Sequence, residues 1–296
     1  NFGCNNNITT PDIVSDVSLV PRAENIVKKA LHGQRPGFRS KAAEVVVSTG
    51  LKEYTPTMAK MLDDPSPQVR FTAAVAVGDA EYKAARPALR QLSQDKDSNV
   101  SLAAEYALDK LGSGEAIPVL KEATDSNSQI IRANAVLLLG KLGKKKALPI
   151  LYETLRDEDS EMEVRFQAVE AIARLGDVEV YEKIWTMLIS AYADDRVRGI
   201  KAMGALGTSR AEDAISTMLK DPVLEVRLAA AGELGKLGNK SGENIVLQAF
   251  RKNQFDELDR NRPQTARVMA TLAIGRLCSN QLRPFLSRML NNPSAA

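Results

Sequence analysis

A pattern with a period near 31 residues runs through almost the whole chain, and a period of that length leaves few folds open. The stretch from Ile131 to Asp157 shows it most clearly. With Arg132 as position zero, Ala135, Val136, Leu139 and Leu142 fall at the spacing of a helix with one buried stripe. Gly143 follows, where a helix ends most cheaply in a left-handed residue. Lys144 to Lys146 make a turn, and Pro149 stands in the first turn of a second helix, where its missing N–H costs nothing. Ile150, Leu151 and Leu155 give that second helix its own apolar face.

The same register starts at Arg39, Arg70, Ser101, Arg132, Arg165, Arg196, Arg227 and Arg267, at spacings of 31, 31, 31, 33, 31, 31 and 40 residues. Three positions on, every unit carries Ala or Gly; seven positions on, every unit carries a larger apolar residue. Eleven positions on comes Gly, with Glu81 and Cys278 departing. Seventeen positions on comes Pro56, Pro87, Pro118, Pro149 and Pro284, with Glu182, Asp213 and Asn244 departing. Paired helices at this period build a solenoid, each unit burying its stripe against its neighbours.

The motif, an acidic turn, then V-R-x-x-A, then L-G, resembles HEAT repeats of the short type named after phycobilisome lyases. Asp221-Pro222, Val226-Arg227, Ala230 and Leu237-Gly238 carry the resemblance, which extends over about residues 20 to 292. The expected fold is all-α: a right-handed α-solenoid of about eight two-helix repeats with an N-terminal capping helix around residues 21–31. Residues 1–20 form a flexible tether, 21–292 a single solenoid domain and 293–296 a tail. The 40-residue interval before Arg267 places an insertion at 253–264, read as a helix extension plus loop or as an ordered contact segment.

Composition narrows the function. Lys and Arg number 40 against 37 Asp and Glu, a net charge of +3, too small for a strong electrostatic case for nucleic acid. No apolar run approaches the roughly 18–20 residues of a membrane span. One histidine, His32, is read as a loop or C-cap residue beside Gly33, and with a single His no metal cluster of the usual composition can form. Gly140-Lys141 and Gly143-Lys144 lack phosphate-loop spacing. The chain is therefore expected to be no enzyme and to carry no cofactor.

Cys4 and Cys278 are expected to lie too far apart on a rod for a disulfide, and Cys278 to be a buried small apolar residue. Gly3-Cys4 followed by a polar stretch resembles the lipidation site of bacterial lipoproteins, although Asn1 stands where that pattern wants Leu. The resemblance implies a lipid anchor at Cys4 and an extracytoplasmic location; the alternative is a trimmed start, an incidental cysteine and a cytoplasmic protein.

The repeat resemblance implies that second helices line a concave surface. On that footing Lys60, Arg90, Lys121, Tyr152, Arg156, Trp185, Lys220, Arg251 and Arg288 form a largely basic stripe facing the groove, with Trp185 and Tyr152 as aromatic anchors. Such a stripe suits a protein partner, an acidic segment or helix. An Arg–Asp ladder is expected between the anchor arginines and acidic turns at Asp64, Asp159 and Asp221, and Lys144 to Lys146 are expected to be a solvated turn.

The leading function is a non-enzymatic scaffold. The resemblance also implies a bilin-attaching lyase subunit, holding tetrapyrrole propionates on Arg or Lys beside a phycobiliprotein. An alkylpurine glycosylase on HEAT-like helices is a further alternative, opposed by the modest charge. The di-iron deoxyhypusine hydroxylase, which needs several His-Glu pairs, is excluded.

Overall fold

The computed structural model describes residues 19–255, 258 and 262–290, with side chains undescribed at 262, 263 and 287–290. Among these residues seventeen α-helices form, and no strand. The first, α1 (Leu19–Leu31), is the expected cap; His32 closes it by donating from Nδ1 to the Lys28 carbonyl at 2.9 Å. Eight pairs follow: α2 (Pro36–Thr49) with α3 (Thr55–Lys60), α4 (Pro67–Asp79) with α5 (Arg86–Leu92), α6 (Ser98–Lys110) with α7 (Ile117–Thr124), and α8 (Gln129–Leu142) with α9 (Leu148–Arg156). Then come α10 (Met162–Arg174) with α11 (Tyr181–Leu188), α12 (Ala193–Leu206) with α13 (Ser209–Thr217), α14 (Leu224–Lys236) with α15 (Glu243–Arg251), and α16 (Arg262–Leu277) with α17 (Arg283–Leu290). The helices group into two compact units, one ending at Gln167 and one starting at Ala168.

The repeat columns act locally as their chemistry dictates. All six glycines of the turn column have φ between 64° and 88°, the left-handed region. The two departures keep the same backbone: Glu81 sits at φ 52° and Cys278 at φ 49°. The helix stop is thus imposed by the repeat even where a side chain makes it cost about 1–2 kcal/mol. At that corner Cys278 points outward and is exposed, correcting the expectation of a buried residue. Each column proline enters the first turn of its second helix, as in α3, α5, α7 and α9.

The anchor arginines form a ladder. Arg70 makes two parallel bonds to Asp95, Nε to Oδ2 at 2.8 Å and Nη2 to Oδ1 at 2.9 Å, while Nη1 reaches back to the Asp64 carbonyl at 2.9 Å. Arg39 does the same with Asp64, and Arg196 with Asp221. Each anchor thus ties the turn before its helix to the turn 25 residues on. In the long 33-residue unit the rung is Arg132 to Asp157, not Asp159; the two additional residues fall between that acid and the next anchor, and Arg165 donates to the Asp157 carbonyl at 2.8 Å. Ser101, which lacks a guanidinium, instead donates to the Ser93 carbonyl at 2.7 Å.

The insertion before α16 is anchored at its start. Phe255 is buried, edge-on to Phe250 at 5.1 Å, in a core with Leu224, Leu228, Val246 and Ala266. The helix extension is present: α16 begins five residues before its anchor Arg267, against three in α12 and α14. Residues 256, 257 and 259–261, within the expected loop, lie outside the described residues, as do residues 1–18 with Cys4.

Candidate functional site

Which layer faces inward is decided by how closely helices pack. Successive first helices of the pairs run against one another in each unit, α2 on α4 on α6 on α8, and α12 on α14 on α16, whereas successive second helices scarcely meet. The close approach comes from small residues at positions three and eight of the repeat. A Cβ on Gly78 would stand 2.9 Å from Ala107 Cα, and one on Gly235 2.9 Å from Leu277 N. A two-layer stack bends toward its more closely spaced layer. Unit 1 shows the bend in its side chains: Lys141 on α8 reaches Asp79 on α4 at 2.8 Å, across the intervening α6. Helices two apart in a flat layer would be roughly 16–20 Å apart at the axes. First helices therefore line the inner face, which corrects the expectation that second helices do.

The residues named for the groove lie on the other layer. Lys60, Arg90, Lys121, Arg156, Lys220 and Arg251 are exposed, and Trp185 is 37% exposed, but they stand on the widely spaced second helices or, for Lys220, on the short 3-10 turn that follows α13. Tyr152 is half-buried rather than outward-facing, with the Arg156 guanidinium 5.5 Å from its ring centre. These two are together in unit 1. In unit 2 Trp185 stacks on Tyr181 at 6.4 Å, and Arg210 covers the Tyr181 ring at 3.7 Å. Lys60, Arg90 and Lys121 sit on three different helices, and the Arg288 side chain lies outside the described residues.

The inner face of unit 1 is occupied by its own side chains. Tyr106, fully buried on α6, donates its hydroxyl to Asp79, which also takes Lys141. Asn134 on α8 donates to Asn99 on α6 at 2.9 Å. Lys144 pairs with the buried Asp109, whose other oxygen accepts the Ala116 N–H at 2.9 Å, and Lys146 pairs with Glu115. Lys145 and Lys146 of the turn are exposed as expected, while Lys144 is half-buried, and two of the three lysines pair with acids of the preceding repeat.

The inner face of unit 2 is open. Over α14, Ala229 and Gly232 form the floor of a cleft of about 420 Å³. Its walls are Lys201 on α12 and Val268, Met269, Leu272 and Arg276 on α16; Val268 and Leu272 are 54% and 53% exposed. A second cleft of about 410 Å³ adjoins it, lined by Glu170, Arg174, Lys201, Gly204, Glu233, Lys236 and Arg276. Glu233 is buried between them, accepting from Arg276 at 2.7 Å and Lys236 at 3.4 Å. Gly204 makes room for it, since a Cβ there would lie 2.4 Å from its Oε2. Arg174 pairs with Glu170 at 2.6 Å.

The signal for this site was present in the sequence at positions two, five, eight and nine after each anchor. Position eight carries Gly78, Gly140, Gly204, Gly235 and Gly275, a column that marks the closely packed layer. Position five reads Glu44, Val75, Tyr106 and Leu137 in unit 1, then Glu170, Lys201, Gly232 and Leu272 in unit 2.

Three carboxylates of the ladder, Asp64, Asp95 and Asp157, have their pKa lowered. The Arg70 hydrogen bonds, against burial and with help from the Asp97 N–H, hold Asp95 below the ordinary carboxylate range. Burial pushes Asp64 upward, but Arg39 and the Ser66 N–H outweigh it and the net shift is downward. Asp157 is lowered first by the Asp159 N–H, then by Ser160 and Arg132.

The sequence matches the family model for HEAT repeats over residues 23–109, 55–136 and 117–198. Together these windows cover 23–198, more than half of the chain. The chain belongs to the HEAT-repeat family. Its architecture is accordingly a HEAT α-solenoid. No match is found among curated proteins. Among solved structures this HEAT array is similar to the complex of CpcE and CpcF of phycocyanin lyase from Nostoc sp. PCC7120, at 19% identity and TM-score 0.47, covering 82% of this chain and 94% of that one. It is also similar to human deoxyhypusine hydroxylase in complex with glycerol, at 18% identity and TM-score 0.39, covering 90% of this chain and 99% of that one. Values this low carry no argument about activity. Among the described residues of the HEAT array, no group of three His, Cys, Asp or Glu is placed to hold a metal ion. No helix among them is long and apolar enough to cross a membrane.

Proposed function

We propose that the protein is a non-enzymatic scaffold that holds a protein partner on the inner face of its second unit. The observation that supports this reading is the open cleft over α14, with the exposed Val268 and Leu272 on one wall and Lys201 on the other. Exposed apolar side chains beside a concave, partly charged floor are what a protein interface offers before its partner arrives.

The test is a tagged co-purification from the native organism, wild type beside Leu272→Asp, read by mass spectrometry. Leu272 is half exposed, so the variant should keep its circular dichroism and thermal midpoint. A defined protein recovered with wild type and lost with Leu272→Asp is the expected result. Recovery of nothing with wild type would sink the scaffold reading.

A further inference from the structure

We infer that the occupant of the α12–α14–α16 cleft is an amphipathic helix with acidic residues beside its apolar stripe. The inference rests on the scaffold reading and adds the chemistry of the partner. Its first ground is charge. Arg174, Lys201, Lys236 and Arg276 rim the two adjoining clefts against two carboxylates, Glu170 and Glu233. Both carboxylates are already engaged, Glu170 by Arg174 and Glu233 by Arg276 and Lys236. The rim therefore presents a surplus of positive charge to whatever enters, and an acidic segment complements it.

The second ground is the separation of polar and apolar lining. Val268 and Leu272 stand one turn apart on α16 and form an apolar wall, while the cations gather toward Lys201, Lys236 and Arg276. A ligand that matches both needs apolar anchors on one side and carboxylates on the flank.

The third ground is the backbone. Apart from the first turn of α16 at Gln264, the cleft is lined by helix interiors whose main-chain groups are already paired, so it offers mainly side chains. An extended peptide would lay unpaired N–H and C=O groups against Val268, Met269 and Leu272, whereas a helix satisfies its own. The small floor residues Ala229 and Gly232 leave a groove between the α12 and α16 ridges, as one helix leaves for another.

The experiment is a selection of random displayed peptides against the full chain, followed by binding of the enriched peptides to wild type, Gly232→Leu, Leu272→Glu and Lys201→Glu. Gly232→Leu fills the floor; its new Cβ meets Arg276 Nη1 at 3.3 Å, the end of a flexible side chain. Enriched sequences should share leucine-like residues at i, i+3, i+4 and i+7 with interspersed Asp or Glu. Their affinity should fall at least about tenfold, some 1.4 kcal/mol, in each variant and fall further with added salt. Thermal midpoints report that the variants fold. Enriched peptides that are basic, that lack apolar anchors, or that bind Gly232→Leu as well as wild type would overturn the inference, as would no enrichment. A co-purified partner still held by wild type in that event would leave the scaffold reading standing; absence of any such partner would remove both.

Discussion

Unit 1 and unit 2 use one repeat register, yet present opposite inner faces. On α4, α6 and α8 of unit 1 position five is filled by Val75, Tyr106 and Leu137, and the Tyr106 hydroxyl and Lys141 close over Asp79. On α12, α14 and α16 of unit 2 the same position reads Lys201, Gly232 and Leu272, and the glycine leaves a cleft where α6 has a buried ring. The fold is specified by columns three, seven and eleven, which both units share, whereas the first-turn proline of column seventeen fills unit 1 and returns in unit 2 only at Pro284. What the face can do is specified by a column the fold does not constrain. A binding surface in a solenoid can therefore change by single residues without disturbing the stack.

The comparison breaks most visibly at Tyr106. Replacing this fully buried side chain by alanine should cost about 3–5 kcal/mol in denaturant unfolding. A cost below about 1 kcal/mol would mean that unit 1 is not closed by this ring. The ladder sharpens the comparison from the other side, because both units share it. Arg70→Ala and Arg196→Ala each remove two parallel bonds to a carboxylate and should cost alike, about 2–3 kcal/mol each. Unequal costs would show that the rungs, like the faces, differ between units.

Acid should act through the same rungs. Asp95 has its pKa depressed in the folded state, so its contribution is present above the unfolded value, about 3.9, and is lost as pH falls through the folded value. In Asp95→Asn the slope of stability against pH, measured between about pH 5 and pH 2, should be flatter than in wild type. An unchanged slope would deny the rung its role.

Smaller effects follow at the turn and on the cleft floor. Glu81→Gly relieves a left-handed residue and should raise stability by about 1 kcal/mol, whereas Gly143→Ala should lower it by a similar amount. Gly232→Leu should leave stability unchanged or raise it by about 0.5–1 kcal/mol, since a helix interior favours leucine over glycine. A sharp loss of stability would mean that the floor is packed and not open.

Much of the fold was legible in the sequence because it is written in repetition. The turn glycines, the first-turn prolines, the capping helix and the anchor arginines each recur at a fixed offset, and each offset has one local physical meaning. The rung at Asp157 was misplaced because the acid was counted back six residues from Arg165, and the two additional residues fall between Asp157 and that anchor; from Arg132 the offset is the usual 25. The facing of the helices was misread for a different reason. Side chains such as Trp185 and Lys121 are exposed on either assignment of the layers, so exposure did not distinguish inner from outer. Helix spacing did, and its sequence signal is the glycine column at position eight, where Gly78 and Gly235 allow backbone contact. The ion pairs of the lysine turn were not legible because the partners of Lys144 and Lys146, Asp109 and Glu115, lie one repeat earlier and beyond local spacing.

The most direct test is a calorimetric titration of the recovered partner into three proteins: wild type, Gly232→Leu, and the double variant Trp185→Ala/Arg156→Ala. An inner-face scaffold predicts that Gly232→Leu loses binding by at least about tenfold while the double variant, altered only on second helices, binds as wild type does. Binding lost in the double variant and kept in Gly232→Leu would contradict the account and return the site to the second helices.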